Sequence, residues 1–172
     1  MGTENSMSEG FTELFKAEVR DKLFGEYWPR LLQCLHECDD ELLWFRPNEQ
    51  SNSIGNLVLH LEGNVRQWLV HGVGGKADTR KRSDEFDHRN NFSRSDLVII
   101  LERLKADVLA VIDTVDASRL AESRSIQGFN TSVLGALFHV TEHFSYHLGQ
   151  ISYIVKANKN IDLGYYADRN LD

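Results

Sequence analysis

Proline is nearly absent from this chain: Pro29 and Pro47 are the only two in 172 residues. A helix interior tolerates proline poorly, so such scarcity, with twelve glycines that leave long stretches uninterrupted, points to an all-α fold. Cysteine is scarce as well. Cys34 and Cys38 stand four apart in a helical pattern, where they face the same way as small core residues rather than forming a disulfide framework. No run approaches the roughly 20 apolar residues that a membrane helix requires, and Met1–Gly10 lacks the apolar core of a secretory signal. A soluble, cytoplasmic protein is the expectation. Positive charge is in deficit: 19 Lys and Arg against 26 Asp and Glu give a net charge of −7. That field repels phosphate backbones and anionic membranes, so neither nucleic acid nor membrane is an expected partner.

What remains is ordinary globular material, 41% hydrophobic and 26% charged, which excludes a disordered chain. The length suits one domain over residues 1–172, with a core at about 11–158 and flexible polar tails. Phe11 to about Cys38 reads as a first helix, with Phe11, Phe15, Val19, Leu23, Tyr27, Leu31, Cys34 and Cys38 on its inner face. Pro29 should bend or split it near Trp28. After Pro47, the Ser51-Asn52-Ser53 run offers caps for a second helix over about 54–71. Its inner face is Ile54, Leu57, Val58, Leu61, Val65, Trp68 and Leu69, and Gly72, Gly74 and Gly75 end it.

Residues 73–92 are polar and of mixed charge, longer than the loops of about 12 residues common in compact domains. They read as a linker ahead of a substrate-covering loop, with Arg80-Lys81-Arg82 a solvated charge run. Ser93 and Asp96 form a capping-box pattern before a third helix with Leu97, Ile100, Leu101, Leu104, Val108, Val111, Ile112 and Val115 inside. Asp116–Asn130 is a second connector. Thr131 or Ser132 then caps a final helix to about Asn158. Four long amphipathic helices without a strand signal describe a four-helix bundle.

The final helix carries the distinctive chemistry in His139, His143 and His147. At about 100° per residue, His147 lies about 40° from the centre of the apolar stripe, His143 about 80° and His139 about 120°. Burial should fall in that order. Imidazoles four apart share a face, about 6 Å apart along the axis, near enough to share a cation. The competing reading has each histidine satisfied separately by hydrogen bonds in a polar seam. A third ligand must come from another helix, where His60, Asn64, Gln67 and His71 form a polar stripe. Periodicity does not choose His60 over His71. His36 and His88 are read as exposed.

Several chemistries are excluded. Neither His143 nor His147 is followed by Glu, so the zinc-protease helix motif is missing. Di-iron bundles need paired Glu-x-x-His motifs, and that spacing occurs once, at Glu85 and His88. Cys34 and Cys38 lack a partner pair for structural zinc. No phosphate loop or nucleophile elbow occurs. Glu142 points away from the apolar stripe and is not a general-base candidate.

Asn56-Leu57-Val58-Leu59-His60-Leu61-Glu62-Gly63-Asn64, followed by His143-Phe144-Ser145-Tyr146-His147-Leu148-Gly149-Gln150-Ile151, resembles the DinB-like (damage-inducible, YfiT-like) superfamily over about residues 11–158. The resemblance implies an up-down-down-up four-helix bundle whose long crossover is the 73–92 stretch. It also implies a metal triad of His60, His143 and His147, which breaks the tie with His71. It further implies a divalent metal ion, nickel or zinc first and manganese or iron after them, and a homodimer. The implied activity is a metal-dependent transfer to a low-molecular-weight thiol or other small molecule, or a hydrolysis. In such a site Asn64 and Gln150 would be donors behind the ligands.

Two functions follow for testing. One is a metal-dependent transferase or hydrolase built on the three histidines. The other is a non-catalytic helical-bundle dimer whose histidines or metal are structural, with Leu59 and Val70, outside the inner face of the second helix, as its seam.

Overall fold

The computed structural model of the chain describes residues 2–167 and 169–170. It is mostly helical. In order come α1 (Gly2–Arg20), a π-helical turn (Asp21–Tyr27), α2 (Trp28–His36), α3 (Asp40–Trp44), α4 (Ile54–Val65), a second π turn (Arg66–Val73), α5 (Arg82–Asp87), α6 (Arg94–Asp113), α7 (Ala117–Leu120), β1 (Ser123–Ile126), β2 (Phe129–Ser132) and α8 (Val133–Lys159). One cluster of buried apolar side chains joins these elements. α4 packs against both α6 and α8, and α2 packs against α8. Among the described residues no helix is long and apolar enough to cross a membrane.

The first helix begins at Gly2, well before Phe11, and its expected inner face is buried from Val19 onward, at Leu23, Leu31, Cys34 and Cys38, but not at its start. Thr12, Lys16, Val19 and Leu23 are buried, while Phe11 is 56% exposed. Steps of four advance about 40° each around a helix, so a run of Phe11, Phe15, Val19 and Leu23 drifts off any single face. Pro29 neither splits nor ends the helix. It has no N–H for the carbonyl four residues earlier, and the chain widens into a π turn just before it, with Trp28 N–H donating to the Leu23 carbonyl five residues back. The α-helical pattern resumes at Trp28.

α4 starts as its sequence dictates. Ser53 caps it by accepting from Asn56 N–H, and the Asn56 side chain accepts from Ser53 N–H in return. The helix continues through the second π turn to Gly74, whose N–H reaches the Leu69 carbonyl. The π turn changes which side chains face inward. Val70, expected outside, is buried, and Leu59 is half-buried. β1 packs on this turn; of the two residues expected to form a dimer seam, Val70 is therefore unavailable, while Leu59 keeps part of its surface.

That strand belongs to a hairpin the sequence does not announce. β1 and β2 pair antiparallel with Ile126 opposite Phe129. Gln127 and Gly128 both have positive φ, 54° and 82°, as a two-residue hairpin turn of the mirror-image type requires. Neither strand alternates clearly, and the turn uses Gln-Gly where Asn-Gly would have been the signal. Ser93 and Asp96 form the expected box at the start of α6, and Ser132 caps α8 through Gly135 N–H.

The tail is not a free polar extension as far as it is described. Asn160 ends α8 in the left-handed conformation, Leu163 is buried, and Gln33 donates to the Leu163 carbonyl at 2.8 Å. Tyr165 Oη meets Ser152 Oγ at 2.8 Å and Cys34 Sγ at 3.1 Å. Of the expected flexible tails, Met1, Asp168, Leu171 and Asp172 lie outside the described residues. Cys34 and Cys38 are free and buried. Burial pushes the Cys38 thiol up to about 12, which leaves it no role as a nucleophile at neutral pH.

Candidate metal centre

α4 and α8 bring three histidines together. One ring nitrogen from each of His60, His143 and His147 lies within 4.8 Å of the others. His60 Nε2 and His143 Nε2 are 3.0 Å apart. His60 is 5% exposed and His147 9%, while His143 and His139 are half-buried. His147 is thus the deepest of the α8 series, as its position on the wheel requires.

The nitrogens turned away from the cluster have partners. His147 Nδ1 lies 3.0 Å from Gln150 Oε1, an acceptor, so Nδ1 carries the proton and Nε2 keeps its lone pair. His60 Nδ1 lies 2.9 Å from Glu85 Oε2 and 3.2 Å from Arg80 Nη2. A guanidinium only donates, so Nδ1 cannot satisfy both contacts with one proton assignment. The shorter, carboxylate contact is the hydrogen bond, with Nδ1–H donating, and Arg80 Nη2 approaches because it donates to the same carboxylate oxygen at 2.9 Å. In the neutral ring, the form that ligates metal, His60 Nε2 is then left as a lone pair as well.

Burial is the main cause that lowers His143, with His147, His60 and His139 adding to it, and its pKa falls to about 3. Burial likewise lowers His147 and His139. These imidazoles are therefore neutral at physiological pH, the form that ligates metal. The two Nε2 atoms of His60 and His143 face each other with room for one proton between them. Imidazoles bound to one ion at about 2.0–2.1 Å place neighbouring nitrogens roughly 3.0–3.4 Å apart. The pair already has that spacing, and the donor set fits a divalent cation.

Glu85 comes from α5, inside the stretch read as a linker. Burial by itself would raise its carboxyl, but the hydrogen bonds from Arg80 and His60 outweigh that and hold it below the usual range. Arg80 grips both carboxylate oxygens, with Nε to Oε1 at 2.6 Å and Nη2 to Oε2 at 2.9 Å, and Nη1 donates to Gln67 at 2.9 Å. Its side chain is 4% exposed. The solvated-run reading therefore holds for Lys81 and Arg82, which are exposed, and is wrong for Arg80. Gly63 makes the arrangement possible: a Cβ there would overlap Glu85 Oε1 and come within 2.9 Å of Arg80 Nε. Asn56 anchors α5 with two further bonds, from Nδ2 to the carbonyls of Glu85 at 2.9 Å and His88 at 3.1 Å. His88 is accordingly half-buried, with its ring edge-on to Phe92, rather than exposed. His36 is exposed.

The remaining candidates lie around this group. His71 Nδ1 meets the Lys76 carbonyl at 2.6 Å, outside the triad. His139 stacks on Trp68 with ring centres 3.8 Å apart, and its Nε2 lies 3.4 Å from Asn64 Nδ2. Asn64 therefore serves His139 and no member of the triad. Gln150 meets the triad as an acceptor rather than a donor. Asn64 Oδ1 is buried without a partner, and turning the amide over would strand its nitrogen instead. Glu142 is exposed. Arg80, Glu85 and Gly63 were not singled out from sequence. A glycine inside an otherwise good helix was the available signal, since it costs about 1 kcal/mol unless packing requires it.

Residues 13–165 match the family model of DUF1572, proteins of unknown function. Among solved structures, the chain is similar to a DinB-like protein (YjoA) from Bacillus subtilis at 14% identity, with a TM-score of 0.65 over 84% of this chain and 94% of that one. It is similar also to a DinB-like protein from Bacillus cereus at 12% identity, with a TM-score of 0.64 over 81% and 90% of the two chains. No curated protein matches it significantly.

Proposed function

Because the chain belongs to the DUF1572 family, a DinB-like family, we propose that it binds one divalent metal ion through His60, His143 and His147 and acts as a metal-dependent enzyme on a small molecule. In this reading the chain is a single domain, an up-down-down-up four-helix bundle. The crossover between its second and third long helices carries α5. The observation that supports it is the arrangement of nitrogens. Three imidazoles converge, and two of them are turned by Glu85 and Gln150 so that their other ring nitrogens point into the cluster.

Three neutral donors leave the charge of a dication uncompensated, because Glu85 is already matched by Arg80. When bound, such an ion lowers the pKa of water or of a thiol and so favours an anionic nucleophile. That chemistry suits transfer to a low-molecular-weight thiol or hydrolysis, and three histidines leave positions open for it. Nickel and zinc are the preferred ions, with manganese and iron compatible with the same donors. The chain's own part is to hold His60 and His147 in one tautomer, to keep His143 neutral by burial, and to keep charged side chains other than the Arg80–Glu85 pair off the imidazoles.

A homodimer belongs to the same proposal. With Val70 buried, one apolar surface that suits it is on α8, where Phe138, Tyr146 and Tyr153 are exposed and share one side of the helix. The reading is tested by screening thiol conjugation and ester or amide hydrolysis with the nickel- and zinc-loaded protein. Turnover that vanishes on chelation, returns on reloading and is missing in His143→Ala is the expected result. Full metal loading without turnover on any substrate class would overturn the enzyme reading and leave a structural metal.

A further inference from the structure

Resting on the three-histidine reading, we propose that Glu85, gripped by Arg80 in the notch left by Gly63, is a positioning residue that makes the 76–92 crossover part of the metal centre. Arg80 and Glu85 have side chains only 4% and 9% exposed, in a stretch whose other charged side chains are mostly on the surface. A buried ion pair is a poor source of stability, because desolvation offsets its attraction, and apolar residues of similar volume usually serve as well. Its burial here therefore calls for another use.

The geometry supplies one. Both carboxylate oxygens are held by Arg80, and Oε2 also accepts from His60 Nδ1 at 2.9 Å. A carboxylate in that place fixes the ring's tautomer and rotation and makes Nε2 a better donor toward a cation. His143 has no comparable brace in its own helix, and its Nε2 meets that of His60. The orientation of His60 consequently decides whether the three nitrogens converge. Gly63, three residues after His60, gives the carboxylate access to the helix surface, and Asn56, four residues before it, holds the α5 backbone in register. A single stretch of α4 thus presents the ligand and receives the group that aims it.

The test uses the full-length protein in three forms. Arg80→Met/Glu85→Leu removes the pair together, Arg80→Met/Glu85→Gln keeps an acceptor for His60 Nδ1, and wild type is the reference. Zinc affinity is read by chelator competition, and the His60 tautomer by long-range proton–nitrogen NMR of the metal-free protein. The Met/Leu form should lose about 10- to 100-fold in zinc affinity, the usual effect of removing such a partner. It should also lose the single Nδ1–H form of His60 while keeping the wild-type thermal midpoint. The Met/Gln form should recover the tautomer and part of the affinity. Equal zinc affinity and an unchanged His60 tautomer in the Met/Leu form would overturn the proposal while leaving the three-histidine site intact. A wild type that binds no zinc would sink the site reading, and the tautomer comparison would still decide what Glu85 does to His60. Should the Met/Leu form fail to fold, Gly63→Ala, which displaces the carboxylate without removing either charge, takes its place with the same two readouts.

Discussion

The two halves of the histidine cluster are built differently. On α8, His143 and His147 stand one turn apart on a continuous helix, and the brace of His147 is Gln150, three residues on. Everything there is local. On α4, His60 depends on Glu85, 25 residues away, on Arg80, and on the space left by Gly63. The α8 half can be written down from helical periodicity alone. The α4 half exists only after a polar crossover has folded back, been tied by Asn56 and been buried. Local geometry supplies a pair of candidate ligands, and tertiary packing supplies the third histidine beside them.

The strongest way to break this comparison is to remove one ligand from each half. His60→Ala and His147→Ala should each weaken zinc binding by more than about 100-fold, beyond the range for outer partners, as measured by chelator competition. A loss confined to His147→Ala would show that α4 contributes no ligand. Next comes Gly63→Ala. Helix propensity favours alanine by about 1 kcal/mol, but separating a buried ion pair costs roughly 3–5 kcal/mol. Urea unfolding should therefore show a net loss of about 2–4 kcal/mol. A stabilised variant would mean that the Arg80–Glu85 pair is not seated against α4.

Acid should separate the halves further. His143 titrates at about 3 in the fold against 6.5 ordinarily, so between those values the unfolded chain binds more protons. Stability of the metal-free protein must then fall as pH drops through 6.5 toward 3, by up to about 1.4 kcal/mol per unit for a histidine kept fully neutral. His147 and His139 are lowered as well and act in the same direction. Glu85, held below its ordinary value, stabilises above the usual carboxylate range and loses that contribution as pH falls further. His143→Ala should flatten the upper part of the profile, and an unchanged profile would contradict the assigned burial. Asn56→Ala removes a capping partner and two bonds to the crossover, for about 1–3 kcal/mol by thermal or urea unfolding. The smallest effect belongs to Glu142→Ala, beside His143 but exposed: within about 0.5 kcal/mol and without change in zinc affinity.

The same contrast explains what the sequence made legible. The helix starts were readable to within a residue or two, at Ser93, in the Ser51–Ser53 run and at Thr131 or Ser132, because capping is local chemistry, and the burial of His147 was readable because it follows from angular position. Val70 was misplaced because a π turn shifts the inward face, and nothing in Arg66–Val73 announces one. Phe11 was misplaced because spacings of four drift around the helix. The hairpin was missed because Gln127 takes a positive φ that its side chain does not favour. Arg80 looked like any surface arginine, since what buries it is Glu85 above the bare backbone of Gly63, a relation between the crossover and α4. His60 was reached through the family resemblance, since periodicity alone left it level with His71, and its partners Glu85 and Arg80, set by neighbours in space, were not found.

The most direct test of the central claim is the metal content of the protein purified without chelator or histidine tag, by plasma mass spectrometry, wild type beside His147→Ala. A histidine centre predicts about one divalent ion per wild-type chain and none in the variant. No metal in either protein, after reloading with nickel and with zinc, would contradict it.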